Sequence, residues 1–327
     1  MTSVQRVNLS KELGIKILDR NEIIIEIFRK NAGSAESKLQ VELAKLKYDL
    51  PQLVGKGIEM SRTGAGIGTV GPGETQLEYN RREIKEKIHL LKKELKQLEK
   101  NRNLMSKRRN KDQTLKISIV GYTSAGKSTL LKNITSEENI LISEKLFSTL
   151  SPKTRRTKFD TGLELIFSDT VGFIRNIPTQ LIEAFKSTLE ELNNADFIIK
   201  LIDCSDEDFK EKMNVVDKIV NEITEETIPS IVVFNKIDKC PSKLEDLKIL
   251  FPESLFISAE NTKSVKEFLR NMEIYLKRYD ILEEKFITVP INEFNYYQKR
   301  IGTLGIKKLK TDEKKAEFFL ISKKGFY

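Results

Sequence analysis

The apolar positions of the first third follow a helical period. Leu39, Leu43, Leu46, Leu50 and Leu53 are spaced 4, 3, 4, 3. Ile84, Ile88, Leu91, Leu95 and Leu98 repeat that spacing, and Met105 falls one heptad after Leu98. Such spacing aligns apolar side chains on one seam of a helix. It predicts helices over 36–53 and 75–110 that pack antiparallel as a hairpin. The second, about 36 residues long, would run ~54 Å at ~1.5 Å per residue. A small domain cannot bury that length, so it is expected to project as an arm. Between the seams lies Gly64-Ala65-Gly66-Ile67-Gly68-Thr69-Val70-Gly71-Pro72-Gly73-Glu74-Thr75-Gln76. Its glycines leave the backbone few restraints, which predicts a loop at the tip. It does not follow a strand, so it is no dinucleotide fingerprint. Ahead of the hairpin a strand near Lys16–Leu18 and a segment Glu22–Phe28 form a short unit, and 106–113 reads as a polar linker.

After residue 114 the pattern changes to short β-rich apolar runs. Leu115–Val120, Leu163–Phe167, Ile231–Phe234 and Leu255–Ile257 are predicted strands. Lys285–Pro290 and Ala316–Ser322 are two more, with a helix over Asn292–Arg300 between them. This last stretch is too small to hold a core alone and is expected to pack on its neighbour. Phe294, Tyr296, Tyr297, Phe318 and Phe319 are expected in that core rather than on an RNA-stacking platform. The domain boundaries read as 1–112, 113–281 and 282–327.

Composition narrows the function. The 327 residues are 39% hydrophobic and 32% charged, enough for two or three domains with a sizeable core. The apolar runs fall far short of the ~20 residues of a membrane helix. No apolar leader follows Met1, so the cytoplasm is the expected compartment, with no membrane partner. Cys204 and Cys240 are the two cysteines and His89 the one histidine. A disulfide scaffold and a Cys/His zinc site are therefore excluded. Catalysis by a Ser-His or Cys-His pair would need His89, which is expected to face solvent, while Cys204 is expected to pack at a strand end. Residues 81–111 hold 13 basic and 4 acidic side chains, matching the whole chain's net charge of +9. Arg81, Arg82, Lys85, Lys92, Lys93, Lys96 and Lys100 lie off the apolar seam. That stripe is either a solvated helix face or the footprint of a nucleic-acid binder.

The strand ends carry chemistry. Leu115–Val120 runs into Gly121-Tyr122-Thr123-Ser124-Ala125-Gly126-Lys127-Ser128 and then Thr129, a GxxxxGK[ST] loop opening a helix. Its amides and helix N-terminus suit phosphate, Lys127 would reach the β- and γ-phosphates, and Ser128 would ligate Mg²⁺. The strand at Leu163–Phe167 ends in Asp169-Thr170-Val171-Gly172. There Asp169 would hold Mg²⁺ through water and the Gly172 amide would contact the γ-phosphate. Asn235-Lys236-Ile237-Asp238 follows the third strand. Asp238 can accept from guanine N1 and N2, donors that adenine lacks, which argues against an ATPase. Asn235 fits the N7 edge, and the Lys236 stem packs over the ring. Ser258-Ala259-Glu260 after the fourth strand offers amides to guanine O6. A γ-phosphate-sensing loop also needs a threonine, for which Thr149, Thr154 and Thr157 are candidates. Arg155 and Arg156 beside them would contact phosphate or RNA, or stay solvated.

Residues from about Gly14 to Tyr279 resemble the HflX family of translation-associated GTPases, in the Obg–HflX group. The resemblance rests on Lys38–Ala44, on Gly71-Pro72-Gly73-Glu74-Thr75-Gln76-Leu77-Glu78, on the P-loop, and on Asp169-Thr170-Val171-Gly172-Phe173-Ile174-Arg175. It implies a helical N-terminal domain fused to a Ras-like P-loop G domain; with the residue patterns above, the expected fold is α/β, a Ras-like P-loop G domain preceded by a mixed domain with a long antiparallel helical hairpin and followed by a small α+β module. The resemblance also implies binding to the large ribosomal subunit and its RNA, or to whole ribosomes; the chain itself is expected to be a monomer. The family's magnesium threonine aligns with Thr149, within Phe147-Ser148-Thr149-Leu150-Ser151 on the nucleotide. Mg²⁺ would then be held by Ser128, Thr149 and Asp169, and Lys127, Thr149 and Gly172 would serve hydrolysis. Ser124 and Val70 stand where relatives carry Asn and Arg.

Phe173 occupies the place of the Ras-like glutamine that orients the attacking water. Slow intrinsic hydrolysis is expected, completed by another group or a partner, with Phe173 a bystander. The sequence thus reads as a GTP-driven switch that binds the large subunit, and the resemblance alone implies its use in splitting, rescuing or keeping apart ribosomes under stress. The alternative is an RNA-binding scaffold or ribosome-assembly factor in which nucleotide mainly stabilises the G domain.

Overall fold

The computed structural model describes residues 3–60, 72–109, 114–135, 153–170, 172–173, 190–224, 227–293, 305–311 and 315–324. The chain divides into two compact units, one of residues 1–106 with 176–188, the other of 107–175 with 189–327.

The described part of the first unit is helical: α1 (Ser3–Leu13), α2 (Arg20–Asn31), α3 (Ala35–Met60) and α4 (Pro72–Arg109). The strand expected at Lys16–Leu18 is coil instead. This coil delivers Asp19 to the start of α2, where its carboxylate caps the Glu22 amide at 2.9 Å. Among the described residues of this unit there is no strand for it to pair with, and an unpaired strand does not hold.

α3 is apolar on two faces. Ser37, Val41, Ala44 and Tyr48 are buried, on the side where α2 brings Ile24, Ile25 and Phe28. This row lies two positions out of phase with the leucine seam, roughly opposite it on the helix. On α4 the predicted seam stands out: Leu91 is buried, Ile84, Ile88, Leu95 and Leu98 are half-buried, and the neighbouring lysines, arginines and His89 are exposed. Lys87 of α4 is hydrogen-bonded by Glu83, which raises its pKa, and Glu42 of α3 pushes the same way. α3 continues through Pro51 to Met60. α4 begins at Pro72, so Pro72–Gln76 form its first turn rather than part of the loop. Proline suits the first helical position, where no partner for its missing N–H is needed. Residues 61–71, with most of the glycines, lie outside the described residues.

The second unit holds a six-stranded sheet of β1 (Leu115–Gly121), β2 (Lys153–Lys158), β3 (Glu164–Asp169), β4 (Phe197–Asp203), β5 (Ser230–Asn235) and β6 (Leu255–Phe256). The order is β2-β3-β1-β4-β5-β6, all parallel except the edge strand β2. α5 (Lys127–Thr135), α6 (Phe209–Ile223), α7 (Leu244–Leu250) and α8 (Thr262–Arg278) accompany it. Ile117, Ile119, Phe167, Phe197, Leu201 and Met272 sit at the centre of one buried cluster. Parallel strands end at one edge of a sheet, the usual place for a ligand crevice. β2, Lys-Thr-Arg-Arg-Thr-Lys, escaped the hydrophobic pattern because it has no apolar residue, as suits a charged sheet edge. It takes Thr154 and Thr157 into the ladder opposite Ser168 and Leu165.

A second sheet, in the order β7-β9-β8, is antiparallel: β7 (Leu282–Pro290), β8 (Gly305–Thr311) and β9 (Lys315–Lys323). It belongs to the same unit. Ile281, Leu282 and Ile321 enter the main core, Phe319 packs against it, and Lys323 pairs with Asp196 at 2.5 Å. β4 and β8 were not among the predicted strands. Of the predicted helix, Ile291–Glu293 is a single 3-10 turn and 294–300 lie outside the described residues, so Phe294, Tyr296 and Tyr297 are not placed.

Candidate nucleotide site

Five strand ends supply the site. Between β1 and α5 the chain makes a tight loop, with Ser124 at φ 63° and Gly126 at φ 95°. Lys127 folds back across it, its Nζ donating to the carbonyls of Gly121 at 3.1 Å and Tyr122 at 3.0 Å. Burial lowers the Lys127 pKa, while the Asp169 charge opposes that shift. Two glycines are required by close approach: a Cβ on Gly121 would stand 2.4 Å from the Leu201 carbonyl, and one on Gly126 would stand 2.2 Å from Asn235 Nδ2.

At the end of β3, register with β1 sets Asp169 beside Ile119. The Ser128 hydroxyl donates to the fully buried Asp169 carboxylate at 2.9 Å, and Thr170 donates to the Ile119 carbonyl at 2.9 Å. A hydroxyl and a carboxylate brought together here are hard oxygen donors of the kind that Mg²⁺ prefers. Gly172 then lies over the P-loop, a Cβ there reaching to 3.2 Å from Lys127 Nζ. Phe173 is hydrogen-bonded to the loop on both sides: it donates to the Gly121 carbonyl at 3.1 Å and accepts from the Thr123 amide at 2.9 Å. The residue is only 1% exposed. A phenylalanine so placed packs the loop and points no group at a water. Val171 and the 136–152 stretch, with Phe147, Ser148, Thr149, Leu150 and Ser151, lie outside the described residues. Thr154 and Thr157 lie in β2, opposite Ser168 and Leu165.

On the base side, Asn235 at the end of β5 is 1% exposed and makes two bonds to protein. Its Nδ2 donates to the Ala125 carbonyl and its Oδ1 accepts from the Ala259 amide, each at 2.8 Å. It is a strut between the P-loop and the loop after β6, beyond the N7 contact expected of it. The Ala259 amide, expected to meet guanine O6, is engaged by that strut, and the Ser258 amide donates to Ser264 Oγ at 3.0 Å. Asp238 and Glu260 are exposed, and both line a cleft with Gly126, Thr129, Asn235 and Ala259. Lys236, left-handed at φ 65°, ties its Nζ to Asp203 of β4 at 2.6 Å.

Four supporting residues escaped the sequence reading. Asp203 anchors Lys236 and, through its other oxygen, Ser205 at 2.6 Å. Asn133 of α5 donates to the Ala259 carbonyl at 2.6 Å, and Ser264 serves as above. Lys212 lies 5.2 Å from the Tyr122 ring centre and pairs with Asp206, whose pKa that hydrogen bond lowers. An acidic residue ending a strand was the signal available for Asp203. Nothing local marked the others.

A P-loop lysine, a serine–aspartate pair and an Asn-Lys-x-Asp strand end on one parallel sheet define a P-loop GTPase. A family model described as a GTP-binding GTPase middle region matches residues 31–109, and one described as a 50S ribosome-binding GTPase matches residues 116–236. The GTPase HflX of Caldanaerobacter subterraneus subsp. tengcongensis is 44% identical over 92% of this chain and 69% of its own length. That of Escherichia coli K12 is 39% identical over 73% of this chain and 56% of its own length. The GDP complex of a protein called SsGBP is similar in structure with a TM-score of 0.52 at 27% identity, over 85% of this chain and 79% of that one. The chain belongs to the HflX family of GTPases.

Proposed function

We propose that this chain is a GTP-hydrolysing switch that associates with the large ribosomal subunit and its RNA in the cytoplasm. Its purpose would be splitting, rescuing or keeping apart ribosomes under stress. The observation that carries the ribosomal part is the match of residues 116–236 to the 50S ribosome-binding GTPase description. The exposed basic face of α4 supports it, since lysines and arginines off the apolar seam are free to meet phosphate.

In the proposed reaction, water attacks the γ-phosphate in line. Lys127, the amides of the P-loop and the Gly172 amide take up the charge that develops on its oxygens. Ser128 and Asp169 would hold Mg²⁺ with Thr149, and the ion would neutralise charge on the β- and γ-oxygens. Asp238 selects guanine and Asn235 holds the two nucleotide loops together. No described side chain fills the role of the Ras-like glutamine, so the intrinsic rate is slow and ordering by the ribosome raises it.

GTP turnover measured with and without purified large subunits, with ATP as control, tests this. A stimulation of at least tenfold, specific to GTP, is expected. No stimulation despite tight GTP binding would replace this reading with the assembly-factor one. Equal co-sedimentation of the GTP and GDP forms with large subunits would count against the switch. Reversing the charges of Lys92, Lys93 and Lys96 is expected to weaken subunit binding and to flatten its salt dependence, by a slope of roughly 1 for each phosphate left without its cation. Unchanged binding would make α4 a solvated face only.

The ring of Phe173 is buried, which decides how its expected bystander role is tested. Alanine there would leave a cavity costing about 3–5 kcal/mol, so Phe173→Leu is the cleaner substitution. Its hydrolysis rate should stay within about threefold of the parent, and a hundredfold fall would give the ring a catalytic role.

A further inference from the structure

Cys204 and Cys240 are 36 residues apart in sequence, yet their sulfurs lie 2.6 Å apart and both residues are buried. Cys204 follows β4, and its amide and thiol both donate to the Asn235 carbonyl, at 3.1 Å and 3.0 Å. Cys240 ends the Ile237–Lys239 turn, its sulfur 3.7 Å from the Lys236 carbonyl. The two thiols thus bracket the segment that carries Asn235, Lys236 and Asp238. Neither takes part in the nucleotide chemistry above.

We propose that Cys204 and Cys240 are an oxidation site, at which a peroxide forms a disulfide that clamps the base-recognition loop to the end of β4. Sulfurs already 2.6 Å apart need to close by only about half an ångström to reach the ~2.05 Å of the bond. Cys204 is fully enclosed, whereas Cys240 is 6% exposed. Burial, and after it the hydrogen bond with Cys240, also pushes the Cys204 thiol pKa up, which keeps it protonated. Cys240 is therefore the sulfur that meets the oxidant. Its thiolate attacks one peroxide oxygen and the O–O bond breaks. Cys240 S–OH forms, and the departing hydroxide leaves as water with the proton Cys240 gave up. The Cys204 sulfur then attacks Cys240 Sγ. The S–O bond breaks, and the second water leaves with the Cys204 proton. Two thiols and one peroxide become one disulfide and two waters. The arrangement being clamped is the one in which the Asn235 side chain already bridges Ala125 and Ala259, so the bond preorganises the base pocket.

The site itself follows from the sulfur geometry alone, whereas its effect on nucleotide rests on the guanine reading above. The full chain is treated with hydrogen peroxide, denatured, alkylated and digested. The Cys204 and Cys240 peptides should appear cross-linked, with no alkylation at either cysteine, and a thiol reductant should reverse this. In parallel, dissociation of a fluorescent GDP should slow at least threefold on oxidation. Cys204→Ala and Cys240→Ala, made separately, should each keep the other thiol alkylatable and lose the response to peroxide. Sulfinic acid at one cysteine without a cross-link, or a cross-link only between chains, overturns the site. A cross-link that leaves GDP dissociation unchanged overturns the clamp. Absence of GDP binding in the reduced protein would instead be a failure of the guanine reading, with the cross-link still read by mass.

Discussion

Asp238→Asn is expected to turn a guanosine site into a xanthosine one. Asp238 lies on the exposed turn Ile237–Lys239, its carboxylate unencumbered by the bonds that engage Asn235. A carboxylate accepts from guanine N1–H and the N2 amino group together. The asparagine amide keeps one acceptor and sets an N–H against a donor. A hydrogen bond to a charged group contributes about 1.5–3 kcal/mol, so two of them amount to roughly 10²- to 10⁴-fold in GDP affinity. Xanthine carries an oxygen where guanine carries the amino group, and the asparagine N–H can meet it. Competition of GDP and xanthosine diphosphate against a fluorescent nucleotide measures both changes. Because the side chain is exposed, the melting temperature without nucleotide should stay within about 2 °C. A GDP affinity within threefold of the parent would remove Asp238 from base recognition.

Asn235→Ala should act on the protein itself, with or without nucleotide. It leaves the Ala125 carbonyl and the Ala259 amide buried without the partner each has at 2.8 Å. An unsatisfied buried group costs about 1–3 kcal/mol, so the pair costs about 2–6 kcal/mol, a large part of a domain's net stability. The melting temperature of the nucleotide-free chain, followed by circular dichroism, should fall by at least about 5 °C. The GDP affinity should fall as well, since the two loops lose their common anchor. A loss of affinity with an unchanged melting temperature would make Asn235 a ligand contact and not a strut. The two substitutions thus separate recognition from support within four residues of one another.

Much of the fold was legible because its signals are local. The seam from Ile84 to Leu98 is a periodicity, and periodicity is a property of a helix before it meets any partner. β1, β3, β5 and β6 are apolar runs that stop at loop residues. The P-loop required Gly121 and Gly126 where backbone or side chains approach too closely for a Cβ. β2 was not legible, because an edge strand is defined by its neighbour and its own residues are all polar. The strand expected at Lys16–Leu18 failed for the same reason in reverse: its local pattern had no neighbour among the described residues.

By itself the sequence placed the P-loop, four of the six strands of the main sheet and the Asn-Lys-x-Asp strand end, since each depends on residues adjacent in the chain. Tertiary structure decided how those pieces are joined. Asn235 meets Ala125 across 110 residues, Asn133 meets Ala259 across 126, and Cys204 meets Cys240 across 36. Such meetings depend on which strand lies beside which in the sheet, and no short-range pattern records that. The same holds for the second buried face of α3, visible only once α2 is laid against it. Local spacing sets what each segment can become, and the order of packing sets which of its side chains face one another.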